Sequence, residues 1–233
     1  MRTHQLVLQW IEGQLSNGAL ALGDRLPAER NLAEQLQVSR TSVREAIRIL
    51  EAMGVVRAGV GSGPDAGTVV IAEPAAALGS ALRLHVATSH LPVADIVQTR
   101  VLLESWAAAR ARPGSPALKE AAILLGRMDA GLDPEAFMEL DVSFHLALAE
   151  AAGNAVVTAM MGSLRESIRS YAGRLTANLP DWPATAVRLH AEHGEILAAI
   201  NEHNGAKAAE LVAAHIEGYY NEAGPAASGG DPM

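Results

Sequence analysis

No cysteine occurs among the 233 residues, which excludes a disulfide framework, a thiolate zinc site and a cysteine nucleophile together. A reducing, cytoplasmic location is the matching expectation. Aromatic residues make up only 3%, so the core must be built from Ala, Leu, Val and Ile, a mixture that favours packed helices. Long apolar runs are missing too. Met1 to Gly18 interrupts its apolar positions with Gln5, Gln9, Glu12 and Gln14, so it reads as a surface helix, not as a signal peptide or membrane span.

Basic charge is in deficit. A formal net charge of −8 excludes a protein that coats nucleic acid with its whole surface. The deficit is uneven: residues 1–72 hold seven arginines and seven acidic residues, so all of it lies in residues 73–233. An anionic partner should therefore meet the N-terminal part. At this length two domains are expected, because one hydrophobic core usually serves about 100–150 residues. Their boundaries are read as 1–73, then 74–223, followed by a disordered Gly/Pro/Ala-rich tail over 224–233.

In the first domain, Leu6, Trp10, Ile11 and Leu15 recur at helical spacing until Asn17-Gly18. Pro27 fits a first helical position, with Leu32, Ala33 and Leu36 on the inner face of a second, short helix ending near Gln37. Ser39 can cap a third helix in which Val43, Ile47 and Leu50 line one side and Met53-Gly54 closes the end. The β-branched stretches 55–57 and 68–71 flank a Gly-rich segment over 59–67, which predicts a hairpin. From Pro74 to about residue 222 only helical patterns occur. They break at Leu91-Pro92, Pro113-Gly114, Asp133-Pro134, Gly153-Asn154, Leu179-Pro180 and Asn204-Gly205, giving six or seven helices.

Three helices with a tight turn between the last two, then a hairpin, make a winged helix-turn-helix, whose third helix enters the major groove of DNA. That helix displays Arg40, Arg44 and Arg48 at four-residue spacing, opposite its apolar side. Thr41 and Ser42 stand at its N-terminal end, within reach of phosphates or base edges. Arginine suits the task because its planar fork pairs with guanine O6 and N7 or with two phosphate oxygens. The alternative for this stripe is a solvated face paired with Glu45 or Glu51.

The segment Asn17-Gly-Ala-Leu-Ala-Leu-Gly-Asp-Arg-Leu-Pro-Ala-Glu-Arg-Asn-Leu-Ala-Glu-Gln-Leu, followed by Val38-Ser-Arg-Thr-Ser-Val-Arg-Glu-Ala-Ile-Arg, resembles the DNA-reading signature of the GntR family of bacterial regulators. The helical remainder resembles the FadR subfamily, whose ligand-binding module is the FCD domain. The resemblance implies that Arg30, Arg40 and Arg44 contact DNA, with Thr41 beside them. Its short Gly-x-Gly wing tip is extended here through Pro64, Asp65 and Ala66. Gly61, Ser62 and Gly63 are the wing residues expected in the minor groove.

Asp141 and His145 lie one turn apart on a helix starting near Pro134, so both can grip one cation. His193 and His215 fall on two later helices in apolar surroundings, where a bundle could converge all four. A single helical histidine is more often a surface or satisfied residue. The FCD resemblance implies a divalent metal on an Asp and a His one turn apart plus two later histidines, and these four positions match in order. His190, one turn before His193, could compete. Three imidazoles and a carboxylate suit zinc first, and also nickel, manganese, iron or cobalt.

The same resemblance implies an effector-contacting arginine at Arg100, in Arg-x-x-Leu-Glu, for which the plain alternative is an Arg100–Glu104 ion pair. Arg169, like Arg165, is a further effector candidate that could instead be solvated or support a dimer. The expected molecule is thus a homodimeric regulator of palindromic operator DNA, a repressor released by a small carboxylate. A metalloenzyme is the competing class, since such a metal could activate water. No His-Glu-x-x-His motif is present to supply a general base, and Glu150 and Glu192 are unsupported for the role. A DNA-binding protein with no sensing role would need no converging ligands.

Overall fold

The computed structural model describes residues 2–59, 67–88, 91–128 and 131–222. The chain divides into two compact units, Met1–Leu78 and Gly79–Met233. The wing tip, including Gly61, Ser62 and Gly63, and the tail beyond Glu222 lie outside the described residues.

In the first unit, helices α1 (Thr3–Ser16), α2 (Glu29–Leu36) and α3 (Arg40–Ala52) precede strands β1 (Val56–Gly59) and β2 (Gly67–Val70). The strands pair antiparallel with Val56 opposite Val70 and Gly59 opposite Gly67. Val7 and Ile11 of α1, Leu32 and Ala33 of α2, and Val43, Ala46, Ile47 and Leu50 of α3 bury one core, closed by Leu26, Val56 and Val70. Each large aliphatic side chain so removed from water contributes about 1.5–3 kcal/mol. The α2–α3 turn is short because Gln37 takes the left-handed conformation at φ 53° and Ser39 caps α3 through the Ser42 amide. Gly54 ends the next corner at φ +68°, where a Cβ would lie 2.4 Å from the Glu73 carbonyl oxygen. A side chain there is excluded twice, by conformation and by space.

Three details depart from expectation. Pro27 stands outside α2, whose N-cap is Ala28. The strands are displaced slightly, to 56–59 and 67–70. Residues 23–26 also line the free edge of β2: Gly23 and Leu26 donate to the carbonyls of Val70 and Thr68, and Val70 donates to Asp24. This segment, Gly-Asp-Arg-Leu, has no alternating apolar pattern and so carries no local strand signal.

The second unit comprises helices α5 (Val93–Ala108), α6 (Pro116–Arg127), α7 (Pro134–Ala151), α8 (Ala155–Thr176), α9 (Trp182–Asn201) and α10 (Gly205–Glu222), preceded by α4 (Pro74–Ala87). All six expected breaks separate helices, and Ser115, Asp133, Asn154 and Asp181 cap the starts of α6 to α9 with their side chains. Helix α7 packs on α5, α6 and α8, while α10 packs on α5 and α9. Ten residues of α7 are buried, among them Asp141 and His145. A helix enclosed on several sides must satisfy its polar groups within the bundle. Among the described residues no helix is long and apolar enough to cross a membrane.

Candidate functional site

On the first unit, the 3.6-residue period of α3 separates two faces. Arg40, Thr41, Arg44 and Arg48 are exposed, whereas Ser42, Val43, Ala46, Ile47 and Leu50 turn inward. Glu45 approaches His4 at 3.3 Å, and Glu51 accepts from the Ala58 amide. The acidic residues of α3 are thus turned to other partners than the arginine stripe. Arg44 reaches across to α2, where its Nε donates to Glu29 at 2.8 Å. Arg30 is exposed near Glu34, at 3.9 Å. Ion pairs this wet contribute only about 0–1 kcal/mol, so a polyanion can compete for these guanidinium groups.

Ser42, expected beside Thr41 on the reading face, points the other way. Its hydroxyl lies 2.7 Å from the Thr3 hydroxyl and 2.9 Å from that of Ser39. The helical period groups it with Ala46 and Leu50, so its side chain joins the start of α3 to α1.

In the second unit, Asp141 and His145 of α7, His193 of α9 and His215 of α10 converge, and all four are buried. Asp141 Oδ1 lies 3.2 Å from His193 Nε2, 3.8 Å from His145 Nε2 and 3.9 Å from His215 Nε2. His145 Nε2 is 3.2 Å from His215 Nε2 and 3.4 Å from His193 Nε2. Donors each about 2.1 Å from one ion stand about 3.0 Å apart as octahedral neighbours and about 3.4 Å apart at tetrahedral corners. The set therefore fits a divalent metal with little movement.

The electrostatics agree with that donor chemistry. Burial would raise the Asp141 carboxyl, but His145, His193 and His215 outweigh it and hold the group well below the ordinary carboxylate range. Burial and the facing His215 push the His193 imidazole down to about 3. Burial likewise lowers His215. An ionised carboxylate beside imidazoles biased toward the neutral form is the state in which such groups ligate metals.

Arg100, on α5, is 4% exposed. Its Nε donates to Glu104 Oε1 at 2.7 Å and its Nη1 to the Tyr171 hydroxyl at 2.6 Å. The plain ion-pair alternative is therefore realised, and its carboxylate has a second neighbour: Glu104 Oε2 lies 2.5 Å from His145 Nδ1. Burial would raise the Glu104 carboxyl, yet Arg100 and then His145 bring it down to about 2. Burial opposes the charge on Arg100, and Glu104 and Tyr171 overcome it, leaving the guanidinium pKa raised.

Arg169 is placed differently. It stands 3.9 Å from Glu139 with its side chain 44% exposed, and Arg165 shares that carboxylate. Tyr171, two residues further along α8 and so on its opposite side, is what reaches Arg100. Arg169 thus stands beside Glu139, outside the buried cluster. His215 Nδ1 is 2.7 Å from Glu192 Oε2, and Glu192 in turn accepts from Arg188. Tyr171 is the polar neighbour that the sequence did not bring to this site. Glu104 was read only as the partner of Arg100, at four-residue spacing, and Glu192 only as an unsupported general base, whereas each meets a ligand imidazole.

Residues 3–64 match the family described as bacterial regulatory proteins, gntR family, and residues 95–218 match the FCD domain. The HTH-type transcriptional regulator LutR of Bacillus subtilis is 30% identical over 224 residues, covering 89% of this chain and 98% of its own length. A protein named as the candidate regulator of an L-lactate dehydrogenase operon in Escherichia coli is 31% identical over 201 residues, covering 84% of this chain and 77% of its own. Among solved structures, Streptococcus agalactiae GntR superposes with a TM-score of 0.67 at 25% identity, covering 93% of this chain and 97% of that one.

Proposed function

The chain belongs to the GntR family of bacterial regulatory proteins, with an FCD domain as its second module, and from that premise we propose a metal-dependent, carboxylate-responsive repressor. It is a DNA-binding transcriptional regulator, and the relatives compared with it are regulators rather than enzymes. In this reading Arg30, Arg40, Thr41 and Arg44 meet operator DNA, together with the wing residues Gly61, Ser62 and Gly63. Asp141, His145, His193 and His215 hold a divalent ion, zinc first among the candidates. The observation that carries the reading is the burial of these four donors around one point.

Bound there, a divalent ion would supply a Lewis-acidic position for an oxygen donor from outside the protein. Arg100 supplies the complementary charge for a carboxylate. A small organic acid therefore fits better than a neutral sugar, and the relative named for an L-lactate dehydrogenase operon makes L-lactate a sensible first probe. The protein acts in the cytoplasm as a homodimer on a palindromic site, since two reading helices need a fixed spacing. The acid must bind the two arrangements of the dimer unequally, because only differential affinity shifts the equilibrium.

Metal analysis of chain purified without chelators, joined to a mobility-shift assay on its own promoter with and without L-lactate and related acids, tests the proposal. Stoichiometric metal and release of DNA by an acid are expected. A chain that takes up no divalent ion overturns the metal site, and an acid that tightens DNA binding overturns repression. The metalloenzyme alternative draws no support from the geometry: the nearest carboxylates, Glu104 and Glu192, are both engaged with ligand imidazoles.

A further inference from the structure

Glu104 divides its two oxygens between different tasks. One accepts from Arg100 Nε at 2.7 Å, and the other faces His145 Nδ1 at 2.5 Å. The carboxylate is 3% exposed. Burying an ion pair costs desolvation that apolar side chains of the same size would avoid, so packing alone does not account for it. Its geometry does. A neutral imidazole has a single N–H, which settles on the nitrogen nearer the better acceptor.

Two carboxylates and two ring nitrogens compete for that proton, for His215 Nε2 and His193 Nε2 lie 3.2 and 3.4 Å from His145 Nε2. Asp141 Oδ1 lies 3.8 Å from His145 Nε2, beyond hydrogen-bond reach, while Glu104 Oε2 lies 2.5 Å from Nδ1. The distances favour Glu104. With the proton on Nδ1, the Nε2 lone pair faces Asp141, His193 and His215, where a cation would be held. With the proton on Nε2, that position is blocked.

We propose that Glu104 is a positioning residue that fixes His145 in its Nδ1–H form and so prepares it as a metal ligand. The proposal rests on the metal-site reading above. Because the same carboxylate pairs with Arg100, Glu104 also joins the effector-facing charge to a ligand of the ion, and any coupling between the two must be reciprocal. Glu192 stands in the same relation to His215 at 2.7 Å, but its side chain is 29% exposed. Water can replace it there, so its removal should matter less.

The test titrates Zn2+ alone into the full metal-free chain by calorimetry with chelator competition, and reads the His145 tautomer by long-range proton–nitrogen NMR. The unsubstituted metal-free chain should show His145 protonated at Nδ1. In Glu104→Gln the amide can donate to Nδ1 and drive the proton to Nε2, so Zn2+ affinity should fall about 10–100-fold. Arg100→Met, which leaves the Glu104–His145 contact, should lower Zn2+ affinity less than Glu104→Gln does and leave His145 protonated at Nδ1. If Arg100→Met and Glu104→Gln lose Zn2+ alike, Glu104 acts through the ion pair and the proposal is overturned. It is also overturned by a Glu104→Gln chain that binds Zn2+ undiminished, or by an Nε2–H tautomer in the unsubstituted chain. The tautomer measurement holds even where a variant does not fold. Failure of the unsubstituted chain to bind Zn2+ at all is a separate outcome, which removes the metal reading and this proposal together.

Discussion

The two units use the same charged residue types in opposite ways. On α3 and α2 the arginines are wet, and their acidic partners Glu29 and Glu34 hold them weakly. In the helical unit Arg100, Glu104, Asp141 and three histidines are each no more than 4% exposed. There every charge must be answered by a fixed neighbour, because water cannot do it. The difference teaches that exposure, more than residue identity, separates a surface suited to a long polyanion from an enclosure suited to one small ion. The first can exchange partners without unfolding; the second cannot.

Breaking a buried pair is therefore the strongest test. Arg100→Ala leaves the Glu104 carboxylate buried without its guanidinium, and should destabilise the helical unit by about 3–5 kcal/mol. Denaturant unfolding of the full chain measures this. A loss below about 1 kcal/mol would place Arg100 with the surface pairs of α2 and α3, and the contrast between the units would fail.

Metal comes next. A divalent ion at 100 to 1,000 times its dissociation constant adds about 2.7–4.1 kcal/mol to the folded state, so chelation should lower the melting temperature of the wild-type chain. His145→Ala should remove that dependence and leave operator binding less affected. Acid acts in the same direction on the metal-free chain. His193 has its folded pKa depressed from 6.5 to about 3, so between those values the unfolded state binds more protons. Its contribution is complete above about pH 6.5 and is lost as pH falls toward 3. Glu104, depressed from 4.5 to about 2, is lost lower still. Unfolding midpoints of the metal-free chain that stay level from pH 7 to 4 would contradict this reading of the buried group.

On the exposed side, Arg44→Ala should weaken operator binding by about 1–3 kcal/mol if it reads a base, or reduce the salt dependence if it holds a phosphate. Stability should hardly change, since only the pair with Glu29 is lost. Equal affinity at unchanged helical content would remove Arg44 from the interface.

Much of this architecture was legible because its signals are local. Pro, Gly and Asn marked every break in the helical unit, and the four-residue step from Asp141 to His145 placed two donors on one face. His193 and His215 stood out by their apolar surroundings, and the family resemblance joined them to Asp141 and His145, for nothing in their own helices says which residues they meet. Contacts between distant helices leave no such mark: Tyr171 reaches Arg100 across 71 positions and Glu104 meets His145 from another helix. Residues 23–26 were missed for a related reason, since their pairing with β2 uses backbone groups and no side-chain pattern.

Ser42 gives the finest test of the comparison, because it sits one position after the exposed Thr41 and two before the exposed Arg44 yet faces inward. Its hydroxyl ties Thr3 of α1 to the N-cap Ser39 of α3. Ser42→Ala removes one buried hydroxyl and leaves two partners that are not fully enclosed and can turn to water. The net cost should be about 1 kcal/mol of stability, similar to losing the Ser39 cap itself. Operator affinity, measured where both chains are fully folded, should stay the same, in contrast to Arg44→Ala. Urea midpoints beside shift assays at one salt concentration separate the two effects. If Ser42→Ala weakens DNA binding as strongly as Arg44→Ala while leaving the midpoint in place, the hydroxyl turns outward on DNA, and burial in the free chain is no guide to which α3 residues read the operator.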